Sequence, residues 1–82
     1  MKVIVYGTMN CPDTVQALDE YKKHGIDVDF RDIDRDIKTL KDFLRLRDTK
    51  DVFENVRREH KVGVPFVIAQ DGRMTLNWQE IL

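Results

Sequence analysis

The chain contains little cysteine and no long apolar segment, and each scarcity excludes a class of protein. One cysteine in 82 residues cannot close an intramolecular disulfide, so the fold does not depend on a disulfide framework. No apolar run approaches the roughly 20 residues that span a bilayer, which predicts a protein without a membrane partner. Met1 leads directly into a strand-like segment, so we expect no signal peptide, and an unpaired thiol is typical of the reducing cytoplasm.

The chain also has no marked excess of basic or acidic side chains. The chain has 14 basic and 15 acidic side chains, for a net charge of −1. Nucleic-acid-binding domains normally carry a basic patch, so this balance predicts no nucleic-acid partner. Basic and acidic residues are interleaved between positions 38 and 61, which is typical of a solvated, ion-paired face, with a docking surface for a protein partner as the alternative. Residues 1–82 are enough for one domain with a small core.

Strand-like and helix-like segments alternate in the first half of the chain. Residues 2–6 are rich in β-branched side chains and residues 26–31 alternate apolar and charged ones, so both are predicted strands. A helix is predicted to begin at Pro12 and to stop at Gly25, which favours a left-handed C-terminal turn. Short connections predict that the two strands are parallel, with the charged second strand at a sheet edge. The apolar face of the helix comprises Val15, Ala17, Leu18 and Tyr21.

Two further helices, or one kinked helix, are predicted in the middle of the chain. Residues 37–60 have helical periodicity that is interrupted at 48–51. Asp34 or Asp36 is suited to cap the start of this region, and Asp51 is suited to cap its second part. The apolar stripe comprises Ile37, Leu40, Phe43, Leu44, Val52, Phe53 and Val56.

The end of the chain predicts a hairpin and a last helical turn. Residues 62–69 form a third predicted strand with its approach, and Pro65 is expected to open the strand. The Asp-Gly pair at 71–72 predicts a hairpin turn into a fourth strand at 73–76. Asn77 is suited to cap the last helical turn. The predicted element order is therefore β-α-β-α-α-β-β-α.

The single cysteine, Cys11, lies at the predicted junction between the first strand and the first helix. Backbone N–H groups at a helix start have no intrahelical partner, and the helix dipole is positive there. Both effects favour the thiolate, which is the nucleophilic form of cysteine. Pro12 is suited to the first helical turn, where no N–H group is needed. Cys11 is therefore a candidate nucleophile, with a small buried hydrophobe as the alternative interpretation.

The element order and two motifs resemble the glutaredoxin branch of the thioredoxin-fold superfamily. The motifs are Cys11-Pro12 after the first strand and Gly63-Val64-Pro65 before the third. The resemblance covers nearly the whole chain and implies an α/β fold with a four-stranded mixed sheet flanked by helices. It also implies a cis Val64–Pro65 bond that faces Cys11, so that the Val64 backbone pairs with extended glutathione or substrate. A trans proline that only starts a strand is the alternative.

A thiol–disulfide oxidoreductase of one-cysteine type is the function that this resemblance implies. The Cys11 thiolate would attack a glutathione mixed disulfide, and a second glutathione would release the enzyme. Glutathione would be the co-substrate, glutathionylated or disulfide-bearing proteins the partners, and the protein a cytoplasmic monomer without a metal. The alternatives are a thioredoxin-fold binding or regulatory module with little turnover and an arsenate-reductase-like one-cysteine reductase, which requires an arginine-lined oxyanion site.

The sequence departs from the glutaredoxin pattern at several positions. Thr14 stands where a resolving cysteine would be, and its hydroxyl is expected to donate to the Cys11 sulfur as the second catalytic group. Thr8 replaces a lysine of many relatives, a loss that Lys61 is expected to offset unless Lys61 is an ordinary surface residue. A Gly-Gly pair of the family appears as residues 75–76, and the bulky Trp78 that follows can either bind glutathione or obstruct it. The glutathione-binding residues that the resemblance implies are Pro12, Lys61, Gly63, Val64, Pro65, Asn77 and Trp78.

Overall fold

One four-stranded sheet runs through the molecule. The computed structural model describes every residue from Met1 to Leu82. The strands are β1 (Lys2–Gly7), β2 (Asp27–Asp32), β3 (Phe66–Ile68) and β4 (Met74–Thr75), and they lie in the order β2-β1-β3-β4. β1 is parallel to β2 and antiparallel to β3, and β3 is antiparallel to β4. The sheet is therefore mixed, with β2 at an edge, as the sequence predicts.

Three helices and two 3₁₀ turns complete the fold: α1 (Pro12–Lys23), α2 (Ile37–Thr49), the turn Asp51–Phe53, α3 (Glu54–Arg58) and the turn Trp78–Ile81. The predicted order of elements is confirmed, although the last helical turn is a 3₁₀ turn. No helix combines the length and the apolar composition that crossing a bilayer requires.

The predicted caps are confirmed at two of the three proposed places. Asp36 Oδ1 accepts the Thr39 N–H at 2.7 Å, and this bond holds the pKa of the Asp36 carboxyl below its usual value. Asn77 accepts the Gln79 N–H at 3.2 Å. Asp51 was predicted as a cap, and this is wrong, because Asp51 is already the first residue of the 3₁₀ turn and makes no capping bond.

A core on one face of the sheet joins β1 and β3 to α1. Its buried side chains are Val3, Val5, Ala17, Tyr21, Val67, Ala69 and Ile81. The sequence placed Val15 on the apolar face of α1, but this side chain is 41% exposed. With 3.6 residues per turn, Val15 points about 100° away from Thr14, which α1 turns towards the sheet together with Ala17 and Tyr21.

A second core, which is largely aromatic, lies on the opposite face between the sheet and α2. Its buried side chains are Tyr6, Ile33, Phe43, Phe53 and Phe66. Phe53 packs against two of them, with ring centroids 4.5 Å from Phe66 in a tilted arrangement and 5.8 Å from Phe43 edge to face. Ile37 and Leu44 were predicted in the apolar stripe and are instead exposed, because α2 opens with Ile37 beyond the core and Leu44 points away from the side that Phe43 buries.

Arg57, in α3, makes hydrogen bonds to backbone carbonyls at the end of α2. It therefore does more than cover a solvated face. The Arg57 guanidinium donates to the carbonyl oxygens of Arg47 at 2.7 Å and Lys50 at 2.8 Å. These carbonyls lie at the C-terminal end of α2, where helix carbonyls lack intrahelical partners. Arg57 therefore joins α3 to the end of α2.

Tyr21 provides a pH-dependent test of the first core. Its hydroxyl donates to Trp78 O at 2.6 Å, and burial raises the pKa of Tyr21 from 10.0 to about 12. The unfolded chain loses this proton first, so the free energy of unfolding should fall as the pH rises from about 10 to 12. We expect Tyr21→Phe to lower the free energy of unfolding by about 1 kcal/mol at pH 7. In urea titrations it should also show a shallower alkaline decline than wild type, and equal declines would contradict the assignment.

Candidate functional site

Cys11 occupies the turn between β1 and α1. It is the N-cap residue of α1, with extended backbone angles of φ −102° and ψ 117°. Its N–H donates to Thr8 O at 3.0 Å, and its carbonyl accepts the first helical bond, from Val15 N at 3.2 Å. The side chain is only half-buried and belongs to neither core. The interpretation of Cys11 as a small core hydrophobe is therefore wrong, and the predicted place at a helix N-terminus is confirmed.

The thiol faces the segment that leads into β3. Cys11 Sγ lies 3.9 Å from Val64 O, and the Val64–Pro65 bond is cis, as expected. Pro65 is buried, whereas Val64 is half-buried. Residues 53 positions apart in the chain are thus brought together by the antiparallel pairing of β1 with β3.

A cavity of about 570 Å³ opens beside the cysteine. Five of the residues predicted for the site line it, namely Cys11, Lys61, Gly63, Val64 and Pro65. Its other lining residues are Thr8, Asn10, Ile33, Asp34, Val56, Val62 and Leu76. The cavity is therefore a groove that is lined by apolar residues together with a few polar ones and the thiol.

Residues 61–64 form one wall of the cavity, and the side chains of Arg47 and Phe53 contact this segment. Arg47 donates to Lys61 O at 2.5 Å and to Val62 O at 3.0 Å. Gly63 has φ +94°, and a Cβ there would lie 2.9 Å from Phe53 Cε1, so only glycine fits this close approach. The segment thus rests directly on the aromatic core.

Lys61 is the only cationic side chain that lines the cavity. Its ammonium forms a salt bridge of 2.9 Å with Glu59, and both side chains are largely exposed. The lysine is therefore at the groove, as predicted, but a neighbouring carboxylate offsets its charge.

Asp34 is a polar residue of the groove that the sequence analysis treated only as a possible helix cap. Its Oδ2 accepts hydrogen bonds from the Thr8 hydroxyl and from Asn10 Nδ2, the latter at 3.1 Å. Its backbone N–H donates to Asp32 Oδ1 at 2.9 Å, which fixes the turn after β2. The carboxyl ends of parallel strands meet at one sheet edge, so the positions after β1 and β2 were the signal that could have placed Asp34 here.

Pro12, Asn77 and Trp78 do not line the cavity, although the resemblance implied glutathione contacts for them. Pro12 is exposed in the first turn of α1. The Trp78 ring packs edge-on against Tyr21 at 6.1 Å on the side of the first core. The alternative in which Trp78 obstructs the site is therefore wrong, because the ring packs on Tyr21 and does not line the groove.

The Thr14 hydroxyl makes no hydrogen bond to the Cys11 sulfur. Thr14 is fully buried, and its Oγ1 has no hydrogen-bond partner, so the expected bond to Cys11 Sγ is absent. The helical phase turns Thr14 inward against Gly7, where a methyl group on Gly7 would lie 2.6 Å from Thr14 Cγ2. The role of Thr14 in this structure is the close packing of α1 on β1.

Replacement of Thr14 by valine should leave the fold as stable as wild type or stabilise it by up to about 1 kcal/mol. The hydroxyl is buried without a partner, and an apolar group of the same shape removes that penalty. Thr75→Val is the matched control, because Thr75 is also buried but its Oγ1 accepts the Asn77 N–H at 2.9 Å. Chemical denaturation should show a loss of about 1 kcal/mol for the control alone. An equal loss in both variants would mean that Thr14 has a partner in solution.

Comparison with known proteins gives one informative result. No family model matches the chain, and the search of solved structures found no match. A Haemophilus influenzae protein described as an uncharacterized protein is 30% identical over 80 residues, which cover 98% of this chain and 93% of that protein. The similarity thus includes both the β1–α1 turn and the approach to β3. The chain belongs to the same protein family as this Haemophilus influenzae protein.

Proposed function

We propose that this protein is a glutaredoxin-like thiol–disulfide oxidoreductase with a thioredoxin fold, which acts on glutathione mixed disulfides through Cys11. The observation that carries the proposal is the position of the thiol. It lies at the N-terminus of α1, open to a groove, and 3.9 Å from the carbonyl of Val64. A structural cysteine needs none of these three features.

The sheet supports the thioredoxin-fold part of the proposal. It is a four-stranded mixed sheet with one parallel and two antiparallel pairs, which is the kind of sheet that the resemblance implies. Buried clusters lie on both faces, against α1 on one and against α2 on the other. The cysteine turn and the residue before the cis proline meet at one edge of this sheet, as the resemblance implies.

The reaction would proceed in two exchanges. The Cys11 thiolate attacks the glutathione sulfur of a mixed disulfide, a new Cys11–glutathione disulfide forms, and the substrate leaves as a thiolate that takes a proton from water. The thiolate of a second glutathione then attacks the bound glutathione sulfur. Glutathione disulfide is released, and the Cys11 thiolate is regenerated. The chain has no second cysteine, so no intramolecular disulfide interrupts this cycle.

The protein's own contribution is orientation and electrostatic stabilisation. The N–H groups of the first turn of α1 have no intrahelical acceptors, and Cys11 is the N-cap residue at this end of the helix. They would stabilise Cys11 as the attacking thiolate in the first exchange and as the leaving thiolate in the second. The backbone of residues 62–64, held by Arg47, would align the extended chain of glutathione. Thr14 has no part in this mechanism because its hydroxyl does not contact the sulfur.

A binding module with little turnover is the second candidate. The observation that favours it is that the groove has only one cationic side chain, Lys61, which is paired with Glu59. Asp34 adds a negative charge to the groove. Both carboxylates of glutathione would meet few positive partners there. The arsenate-reductase-like alternative has less support, since no arginine lines the cavity.

Turnover is the property that distinguishes the two candidates. The mixed disulfide of 2-mercaptoethanol and glutathione is supplied with excess glutathione, and glutathione disulfide is followed with glutathione reductase and NADPH. The proposal predicts a steady rate proportional to protein concentration over many equivalents. Formation of a Cys11–glutathione adduct in a single equivalent, without turnover, would support the binding module. Absence of any adduct would contradict the proposed reaction of Cys11.

A further inference from the structure

Two charged side chains line the groove with Cys11, the carboxylate of Asp34 and the ammonium of Lys61. Asp34 lines the cavity together with the cysteine and takes part in none of the salt bridges of the molecule. Asp13, which follows Cys11 and Pro12 in the first turn of α1, is exposed and is also without an ion pair. The single cation, Lys61, is offset by Glu59 at 2.9 Å. Of the two charged side chains that line the groove, Asp34 is therefore the one without an ion pair.

The Asp34 carboxylate is held in place and has a free oxygen. Thr8 and Asn10 both donate to Oδ2, and the two residues follow β1 while Asp34 follows β2. Oδ1 accepts no hydrogen bond in the structure. A carboxylate fixed at one oxygen and open at the other is suited to an ammonium or guanidinium group, both of which donate strongly to carboxylates.

We infer that Asp34 is a specificity-determining residue, which makes Cys11 react preferentially with disulfides that carry a cationic group close to the sulfur. The substrates would be amine-bearing small disulfides or proteins whose modified cysteine has a lysine or arginine beside it. This inference rests on the proposed thiol–disulfide exchange and names the substrate class for it. Attraction between the cation and Asp34 raises the rate of encounter, and an anionic disulfide is repelled by the same charge.

The test measures the rate at which Cys11 reacts with three symmetrical disulfides. These are cystamine, which has two ammonium groups, the neutral 2-hydroxyethyl disulfide, and 3,3′-dithiodipropionate, which has two carboxylates. In each reaction the Cys11 thiolate bonds to one sulfur, and the other sulfur leaves as a thiolate that takes up a proton. The loss of the free thiol is followed by intact mass, and the ratio of the cystamine rate to the dithiodipropionate rate is the readout.

Asp34→Asn is compared with wild type, so that the intrinsic reactivities of the reagents cancel. At low ionic strength we expect the substitution to lower the ratio by about three- to tenfold. Asp27→Asn is the matched control, because Asp27 is an exposed, unpaired carboxylate at the opposite end of β2, and it should leave the ratio unchanged. The ratio of the wild type should also fall at about 1 M salt, where the screening length is about 3 Å.

The outcomes separate this inference from the proposed function. Equal ratios in wild type and Asp34→Asn, with ready reaction of the neutral disulfide, would overturn the role of Asp34 and leave the exchange chemistry intact. Failure of Cys11 to react even with the neutral disulfide would overturn the proposed function and this inference together. A wild-type ratio that does not respond to salt would likewise contradict the electrostatic role.

Discussion

Replacement of Cys11 by serine is expected to lower the rate of glutathione-dependent reduction by at least about a thousandfold. The exchange needs a thiolate, and a serine hydroxyl is neither ionised near neutral pH nor able to form a disulfide. No other sulfur nucleophile can take over, since the chain has a single cysteine. The rate is measured with the mixed disulfide of 2-mercaptoethanol and glutathione under the turnover conditions described above.

The same variant carries its own control for folding. Cys11 is the N-cap of α1 but makes no side-chain capping bond, whereas serine is among the best N-cap residues. Cys11→Ser should therefore unfold with the same free energy as wild type or with up to about 1 kcal/mol more. Loss of activity in a protein that is at least as stable would assign the loss to the sulfur. Retention of turnover would exclude Cys11 as the nucleophile.

Gly7→Ala should strongly destabilise the fold, with a loss of about 3 kcal/mol in the free energy of unfolding. Gly7 ends β1 directly beneath α1, and its added methyl group would lie 2.6 Å from Thr14 Cγ2 and 2.8 Å from Thr14 Oγ1. Both groups are buried, so α1 has to move away from the sheet. Because Cys11 begins α1, this movement should also slow the reaction of the thiol.

A double-mutant cycle with Thr14→Ala identifies the cause of this loss. Thr14→Ala removes the two atoms that clash most closely, so Gly7→Ala should cost less in that background, with a coupling energy of about 1 kcal/mol or more. Gly25→Ala is the comparison for backbone strain without a clash, because Gly25 has φ +69° and open space around it, and it should cost about 1 kcal/mol. Gly7 has no positive φ, so its larger loss comes from the clash. Additive effects of Gly7→Ala and Thr14→Ala would mean that the two sites do not touch.

The sequence patterns were sufficient to predict the elements, and the family resemblance added the meeting of Cys11 with Val64 and Pro65. Strand and helix periods differ clearly in this chain, and glycine, proline and aspartate occur at the boundaries. The cis bond came from the resemblance rather than from the residues themselves, since a proline before a strand is equally compatible with a trans bond.

The side chains around the thiol could not be predicted in the same way. The direction of Thr14 depends on how α1 is rotated against the sheet, and its spacing from Cys11 suggested a contact that this rotation prevents. Asp34 lies in a turn whose acidic residues all resembled helix caps, and only the parallel pairing of β1 with β2 brings it to Thr8 and Asn10. The Trp78 ring packs on Tyr21, away from the groove, and no local sequence pattern indicates this long-range contact.

Intact mass spectrometry of the wild-type protein tests the central claim most directly. The protein is first mixed with glutathione disulfide, and excess glutathione is then added while the mass is followed over time. The proposed chemistry predicts that one glutathionyl group is gained at Cys11 and then lost in the second step, both faster than for the cysteine of the urea-unfolded chain. An adduct that forms no faster than in the unfolded chain, or that glutathione does not remove, would contradict it.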